Sequence, residues 1–395
     1  MIPPLGESWP LPPSNAIGLS EGGVSAWDLL LSAERAALAI PKPAAKYQDK
    51  VVAVRLIAWF LKDFWENNQT TAYQRLLLEI LSCNRVTAAP GHPAELEQRH
   101  TKVFTLGLDL RNHLLRVFYS RTDRTPSAHA SRPSYDQHRA SILKSMAEVD
   151  DSEGRTHKQA KDDALFRDGY KCVMTGFYDK VTLMKVPELH VKSVAEDVSS
   201  VETQVAHLFS ESAQSVSLLP FSLGCWIDDH IYAASAMAIL KMFGLDGVVE
   251  RLLGKRVNNL WNVMTMCVSL HKDFDQFLFW FEAVPGEEHT YNVVARHPET
   301  FFRQVPKPPR RVKFTIDPQA LRDCADQDIP SHLLKLPDQQ LMAMRAACAR
   351  VAAMSGAADQ LRLIMEDRDD AQTLADSNTT IYLVDSILRT LPVGA

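Results

Sequence analysis

The chain has 395 residues, of which 46% are hydrophobic and 23% charged, and its formal net charge is −5. The apolar content is enough for two or three domain cores. The acidic balance excludes a protein that coats DNA through its overall charge, so any contact with nucleic acid has to come from a local basic patch.

The six cysteines are scattered along the chain without a CxxC pair. This pattern argues against a cysteine zinc knuckle or a disulfide framework and favours free thiols in a reducing compartment. The N-terminus, MIPPLGESWPLPP, lacks the basic and apolar regions of a signal peptide. No apolar run reaches the length of a membrane span. We therefore expect an intracellular protein, cytoplasmic or nuclear, with no membrane partner.

The first part of the chain is predicted to be helical. Residues 1–24 are rich in Pro, Gly and Ser, which predicts a flexible arm, and Ser25 is a candidate cap for the first helix. Residues 51–65 are apolar almost all round, as in a buried central helix. Over 103–117 the apolar residues recur every three or four positions, which indicates an amphipathic helix. Residues 25–150 are thus predicted to form a helical domain.

A linker rich in Pro and Ser at 121–135 and an acidic turn near residue 150 predict a domain boundary. The next domain, 151–300, is predicted to contain strands at 171–176 and before His207, and a hairpin built from the β-rich runs 277–283 and 291–295.

The last predicted region, 301–395, is a basic linker followed by a helical extension. The segment 305–313 (VPKPPRRVK) predicts an extended linker. A helix is predicted to open at Pro337 and to stop at Gly356.

Four polar residues of the middle region suit phosphodiester hydrolysis: His207, Asn262, His271 and Asp275. The reaction needs a base for water and a cation for the charge on the phosphorane and the departing oxygen. A histidine at a strand end titrates near neutrality and can act as the base, and an amide can fix its tautomer. His271 and Asp275, four residues apart, face the same side of a helix and form a mixed nitrogen–oxygen donor pair for Zn, Mg or Mn.

The order strand–His, Asn, helix–His resembles the HNH (ββα-metal) endonucleases, in the subgroup with the pattern AHI…N…H..FD. Further segments are similar to a fungal group of proteins with a central HNH domain: 168–176 (DGYKCVMTG), 202–209 (ETQVAHLF), 262–266 (NVMTM) and 355–357 (SGA). The resemblance implies that His207 is the general base, that Asn262 orients it, and that His271, helped by Asp275, binds one divalent metal ion.

The chain departs from the family pattern at two positions. Ala206 stands where many HNH nucleases have a metal-binding Asp, and Ser210 stands where the AHI form has proline. The first change removes one metal ligand. Asp275, Glu202 and Glu211 are the candidates to replace it.

Each assignment has a plainer alternative. His207 could be a hydrogen-bonded core histidine, Asn262 a turn or helix cap, and His271 with Asp275 a helix-surface pair. His190 is a rival base for which we favour a structural role. Arg167 could touch a phosphate, although pairing with a carboxylate is favoured.

The basic and aromatic residues near these motifs also allow two interpretations each, one functional and one structural. The basic residues of the linker could hold a phosphate backbone or be a solvated segment; they are Arg303, Lys307, Arg310, Arg311 and Lys313. The nearby tryptophans are more often core residues than stacking platforms for bases; they are Trp226, Trp261 and Trp280.

The sequence therefore predicts an α+β protein with a helical N-terminal domain, a central ββα-metal domain and a helical C-terminal extension. The first hypothesis is a metal-dependent endonuclease that acts on nucleic acid. The second is the same fold recruited as a small-molecule acid–base enzyme of fungal secondary metabolism, which would need a deep apolar pocket. The third is a non-catalytic binding module.

Overall fold

The computed structural model describes residues 8–40, 49–119, 154–210, 239–252, 254–364 and 366. Several expectations fall outside these ranges: the linker at 121–135, the boundary near 150, and three single residues, Glu211, Cys225 and Trp226. The other five cysteines are free, as predicted, and all five are buried.

Four helices form the N-terminal region: α1 (Glu21–Ala39), α2 (Asp49–Glu66), α3 (Thr70–Ser82) and α4 (Pro93–Asp109). Helix α4 continues through a π-helical segment, Leu110–Leu115, and a last turn, Arg116–Phe118. Helix α2 is buried along most of its length and packs against α1, α3 and α4, which confirms the central helix predicted from its continuous apolar sequence.

The start of the chain differs from its prediction. Helix α1 begins at Glu21, and the Ser20 side chain caps it by accepting a hydrogen bond from Gly23 N, so the prediction of Ser25 as the cap is wrong. Residues before this helix make tertiary contacts. Trp9 N donates to Met354 O at 2.9 Å, and the Leu11 side chain is buried. The prediction of an arm that is flexible throughout 1–24 is therefore wrong from residue 8 onward.

The middle of the chain begins with α5 (His157–Arg167), β1 (Tyr178–Asp179), α6 (Lys180–Lys185), α7 (Pro187–Ala195) and β2 (Ser200–Val201). Residues 171–176, predicted as a strand, form a turn instead. Cys172 N donates to Phe177 O at 2.8 Å and Gly176 N donates to Cys172 O at 2.9 Å. These local hydrogen bonds override the β-propensity of the segment.

A strand–strand–helix unit follows. Strand β3 (Thr203–His207) pairs antiparallel with β4 (Val263–Cys267), and helix α9 (Val268–Asp275) leaves the end of β4 directly. Helix α8 (Asp246–Leu252) lies between the two strands in sequence. The register sets His207, the last residue of β3, opposite Val263. The end of β3 therefore lies beside Asn262, which directly precedes β4.

The predicted hairpin is present as β5 (Phe279–Ala283) paired with β6 (Thr290–Ala295), and α10 (Pro298–Phe301) follows it. The basic segment is not only a linker, because β7 (Arg311–Lys313) adds an edge strand to β6.

Helix α11 (Pro318–Asp326) leads to α12 (Gln339–Ser355). Gly356 ends α12 with φ +81°, as its position predicts. Helix α12 packs against α2 on one side and β5 on the other, and these elements share one apolar core.

The described chain is thus mixed helix and sheet, with the strand–strand–helix unit in the middle, in agreement with the predicted class. The division into domains stays a prediction. Among the described residues, no helix combines the length and the apolar character needed to cross a membrane.

Candidate active site

His207 is half-buried at the end of β3, and its ring is held by an amide. Nε2 lies 2.7 Å from Asn258 Oδ1. An amide oxygen only accepts hydrogen bonds, so this contact puts a proton on Nε2, and in the neutral ring the lone pair is then on Nδ1. That is the tautomer of a neutral base. Asn258 was not singled out in the sequence; it lies in the 3-10 segment Gly254–Asn258, where a turn asparagine carries no functional signal.

Asn262 has a different role from the one expected. Its Oδ1 accepts from Phe209 N at 2.9 Å, and its Nδ2 donates to Phe209 O at 2.9 Å and Val257 O at 2.7 Å. The side chain is fully buried and its polar atoms are used in these three contacts. The predicted direct contact between the Asn262 amide and the His207 ring is therefore wrong. Asn262 instead fixes the backbone just after His207.

A second histidine, His157, stacks on His207, with the ring centroids 5.7 Å apart and the planes inclined by 23°. His157 is the first residue of α5, and Thr156 closes a capping box with Gln159 at this helix end. The capping pattern is visible in the sequence, but nothing local indicates that this helix end meets β3. Sequence reasoning therefore missed this residue.

His271 and Asp275 lie one turn apart on α9 and are both buried. Gln204 Oε1 is 3.0 Å from His271 Nδ1, so Nδ1 carries the proton and the lone pair is on Nε2. Nε2 faces Asp275 Oδ2 at 3.4 Å. Burial lowers the pKa of His271 to about 3, and the nearby charges of His207, Arg345 and His157 add to this effect. His271 is therefore neutral at physiological pH, which is the state that a metal ligand requires.

The Asp275 carboxylate is positioned by a buried arginine. Arg345 Nη2 lies 3.5 Å from Asp275 Oδ1, whereas Oδ2, which faces His271, is buried without a hydrogen-bond partner. Burial raises the pKa of Asp275 to about 7, against the opposing effect of the Arg345 charge. A buried oxygen without a donor is costly unless a proton or a cation occupies its lone pair.

The donor set fits one divalent cation held by two side chains. Two atoms 3.4 Å apart can both bind an ion that lies about 2.1 Å from each. Within the described ranges no group of three or more His, Cys, Asp or Glu side chains converges on one point. Such an ion would therefore keep several positions for water and phosphate oxygens, as magnesium commonly does.

The candidates to replace the missing aspartate differ in their positions. Ala206 is fully buried opposite Met264, so β3 offers no carboxylate at that point. The exposed Glu202 precedes β3 at the end of the strand far from His207. Of the two candidates that the structure describes, Asp275 is the one that lies beside His271.

Arg167 pairs with a carboxylate, as favoured from the sequence. Its guanidinium forms two hydrogen bonds with Asp168, at 2.7 and 2.9 Å, and it also donates to Leu260 O and Val263 O on either side of Asn262. Asp168 accepts from Thr265 N at 2.9 Å. The pair therefore holds the start of β4, and because Arg167 is fully buried, a role in phosphate contact is not favoured.

The remaining candidates lie outside this cluster. His190 is exposed on α7, and two of the three tryptophans near the motifs, Trp261 and Trp280, lie in the described part of the chain and are core residues. The Arg310 guanidinium lies over the Phe302 ring at 4.4 Å, Arg311 forms an ion pair with Glu287, and Lys313 is exposed.

A family model described as HNH endonuclease matches residues 172–282, less than a third of the chain. The matched region contains β3, β4, α9 and most of β5, and it excludes His157 and Arg345. No match is found among curated proteins or among solved structures. The middle of the chain is thus similar to HNH endonucleases, as the sequence motifs predicted, and this likeness suggests a nuclease function.

Proposed function

We propose that this protein is a metal-dependent endonuclease that hydrolyses phosphodiester bonds in nucleic acid, with His207 as the general base. The observation that carries the proposal is the placement of an amide-held imidazole, His207 at the end of β3, close enough to the donor pair His271 and Asp275 on α9 for its charge to act on His271. The likeness of residues 172–282 to HNH endonucleases supports the same reaction class.

In the proposed mechanism, His207 takes a proton from water at Nδ1 while Asn258 accepts the hydrogen bond from Nε2–H. Asn262 keeps the backbone of Phe209 fixed, so the strand end that carries the base stays in place. His271 and Asp275 would hold the divalent ion, whose charge would stabilise the phosphorane and the departing oxygen. His271 needs no deprotonation for this role, because its low pKa keeps it neutral.

Nucleic acid is the proposed partner, and the basic edge of the β5–β6–β7 sheet is the proposed contact for its backbone. Arg310 and Lys313 are exposed there, whereas Glu287 offsets part of the charge of Arg311. Contacts of this kind weaken with salt, because each phosphate that is neutralised releases a counterion.

The decisive experiment is nicking of supercoiled plasmid with Mg²⁺, Mn²⁺ or Zn²⁺. His207→Ala is expected to lower the rate by about 100-fold or more, the usual contribution of a general base. His190→Ala is the matched control, because His190 is an exposed histidine within the same matched region. Nicking that is equal in His207→Ala and the wild type would contradict the proposal.

A second candidate is a non-catalytic binding module. It is favoured by Ala206, which supplies no ligand, and by Arg345, whose charge lies 3.5 Å from Asp275 and partly compensates the carboxylate without a metal. This candidate predicts no bound metal, and it predicts that nucleic acid is bound as well by His207→Ala as by the wild type.

A further inference from the structure

One arginine outside the HNH-matched region reaches into the candidate site. Arg345 lies on α12 and its side chain is buried. Its Nη1 donates to Phe118 O at 2.7 Å and to Leu208 O at 2.9 Å, and its Nη2 donates to Phe274 O at 2.7 Å. These three carbonyls belong to the end of the N-terminal helices, the segment after β3, and α9.

Two of these carbonyls are next to residues of the site. Leu208 directly follows the base His207, and Phe274 directly precedes Asp275. Since β3 and α9 are separate elements, one rigid guanidinium that binds both fixes the distance between the imidazole and the donor pair. The Arg345 guanidinium also lies over the Phe274 ring, 3.7 Å from its centroid, so its plane is held as well.

The same side chain sets the orientation of the Asp275 carboxylate. Nη2 is near Oδ1, so Oδ2 is the oxygen that faces His271 Nε2. A lysine could supply the charge but not the planar set of donors that reaches three carbonyls.

We propose that Arg345 is a positioning residue of the nuclease site, which aligns His207 with His271 and Asp275. The inference rests on the proposed function. It means that residues 172–282 do not form a complete site by themselves, because helix α12 supplies the group that holds its two halves together.

Arg350 offers a matched control on the same helix. It is a largely buried arginine that binds Asp63 of α2 through two hydrogen bonds, at 2.7 and 3.0 Å. It thus links α12 to the N-terminal helices, and its other contact, with Glu282 of β5 at 3.4 Å, is also away from the site residues. Comparing Arg345→Lys with Arg350→Lys separates alignment of the site from the general stability that buried arginines provide.

The first readout is the single-turnover rate of plasmid nicking at saturating Mn²⁺, measured at a temperature where both variants are folded. Arg345→Lys is expected to lower the rate by about 100-fold, as small misalignments of catalytic groups do, and Arg350→Lys by less than about threefold. Equal losses in the two variants would overturn the proposal.

The second readout needs no activity, and it keeps the inference testable if the proposed function fails. Nitrogen-15 spectra of the histidine side chains report the tautomer and surroundings of each ring. Arg345→Lys is expected to shift the signals of both His207 and His271 and to leave His100, which binds Ser32 in the N-terminal helices, unchanged. Arg350→Lys should shift neither site histidine.

A folded Arg345→Lys protein with unchanged His207 and His271 signals would refute a positioning role. If Arg345→Lys does not fold, Arg345→Gln, which retains two N–H donors without the charge, is measured in the same two ways. Unaltered signals and an unaltered rate in that variant would equally overturn the proposal.

Discussion

His271 Nε2 and Asp275 Oδ2 face each other across 3.4 Å, one turn apart on α9, and the carboxylate oxygen has no hydrogen-bond partner. The imidazole carries its proton on Nδ1, so the lone pair of Nε2 is on the side of Asp275. The carboxylate oxygen receives no hydrogen bond, so its lone pairs are also available on this side. The likeness to HNH endonucleases suggests that this pair binds a metal ion. A cation there would lie near the His207 base, whose charge acts on His271.

Metal binding is expected to strengthen as the pH rises through about 7. Burial raises the pKa of Asp275 to about 7, so below that pH a proton occupies the carboxylate and competes with the cation. His271, with its pKa lowered to about 3, adds no dependence in this range. Calorimetric titration with Mn²⁺ at pH 6 and pH 8 should give the tighter binding at pH 8. Equal affinities at the two pH values would contradict the role given to Asp275.

Asn258 is expected to control the tautomer of His207. Asn258→Ala removes the acceptor for Nε2–H and should slow nicking by about 10-fold or more, a smaller loss than removal of the imidazole itself. Asn258→Asp restores an acceptor and adds a negative charge that favours the imidazolium, so its acidic limb in the pH–rate profile should move to higher pH. If Asn258→Ala nicks at the wild-type rate, the amide does not orient the base.

Asn262 is expected to act mainly on stability. Asn262→Ala leaves the Phe209 N–H and two carbonyls in the interior without their partners, and we expect it to lower the free energy of unfolding by about 3 kcal/mol. Urea denaturation measures this loss. A change below about 1 kcal/mol would show that the three hydrogen bonds are replaced by others.

These two asparagines show what the sequence can and cannot predict. The motif predicted that an asparagine orients the base. It pointed to Asn262 because a family pattern specifies the position of a residue in the sequence and not the group that its side chain contacts. In the structure the contact is made by Asn258. The chain from Asn258 to Asn262 runs past the end of β3, so the Asn258 amide contacts the His207 ring and the Asn262 amide contacts the backbone of Phe209.

Elements with a strong local pattern were predicted well. Helix α2, the β5–β6 hairpin and the glycine stop of α12 depend on apolar periodicity and turn chemistry within a few residues. The turn at 171–176 was missed because its hydrogen bonds outweigh the β-forming side chains. His157 and Arg345 were missed because only tertiary packing brings α5 and α12 to the site.

The central claim is that His271 and Asp275 form a metal site beside the His207 base, and the metal content of the purified protein after equilibrium dialysis against Mn²⁺ tests it most directly. The expected result is about one ion per chain in the wild type and in His207→Ala, and none in His271→Ala or Asp275→Asn. A wild-type protein that binds no ion, or a His271→Ala protein that binds as much as the wild type, would contradict the account.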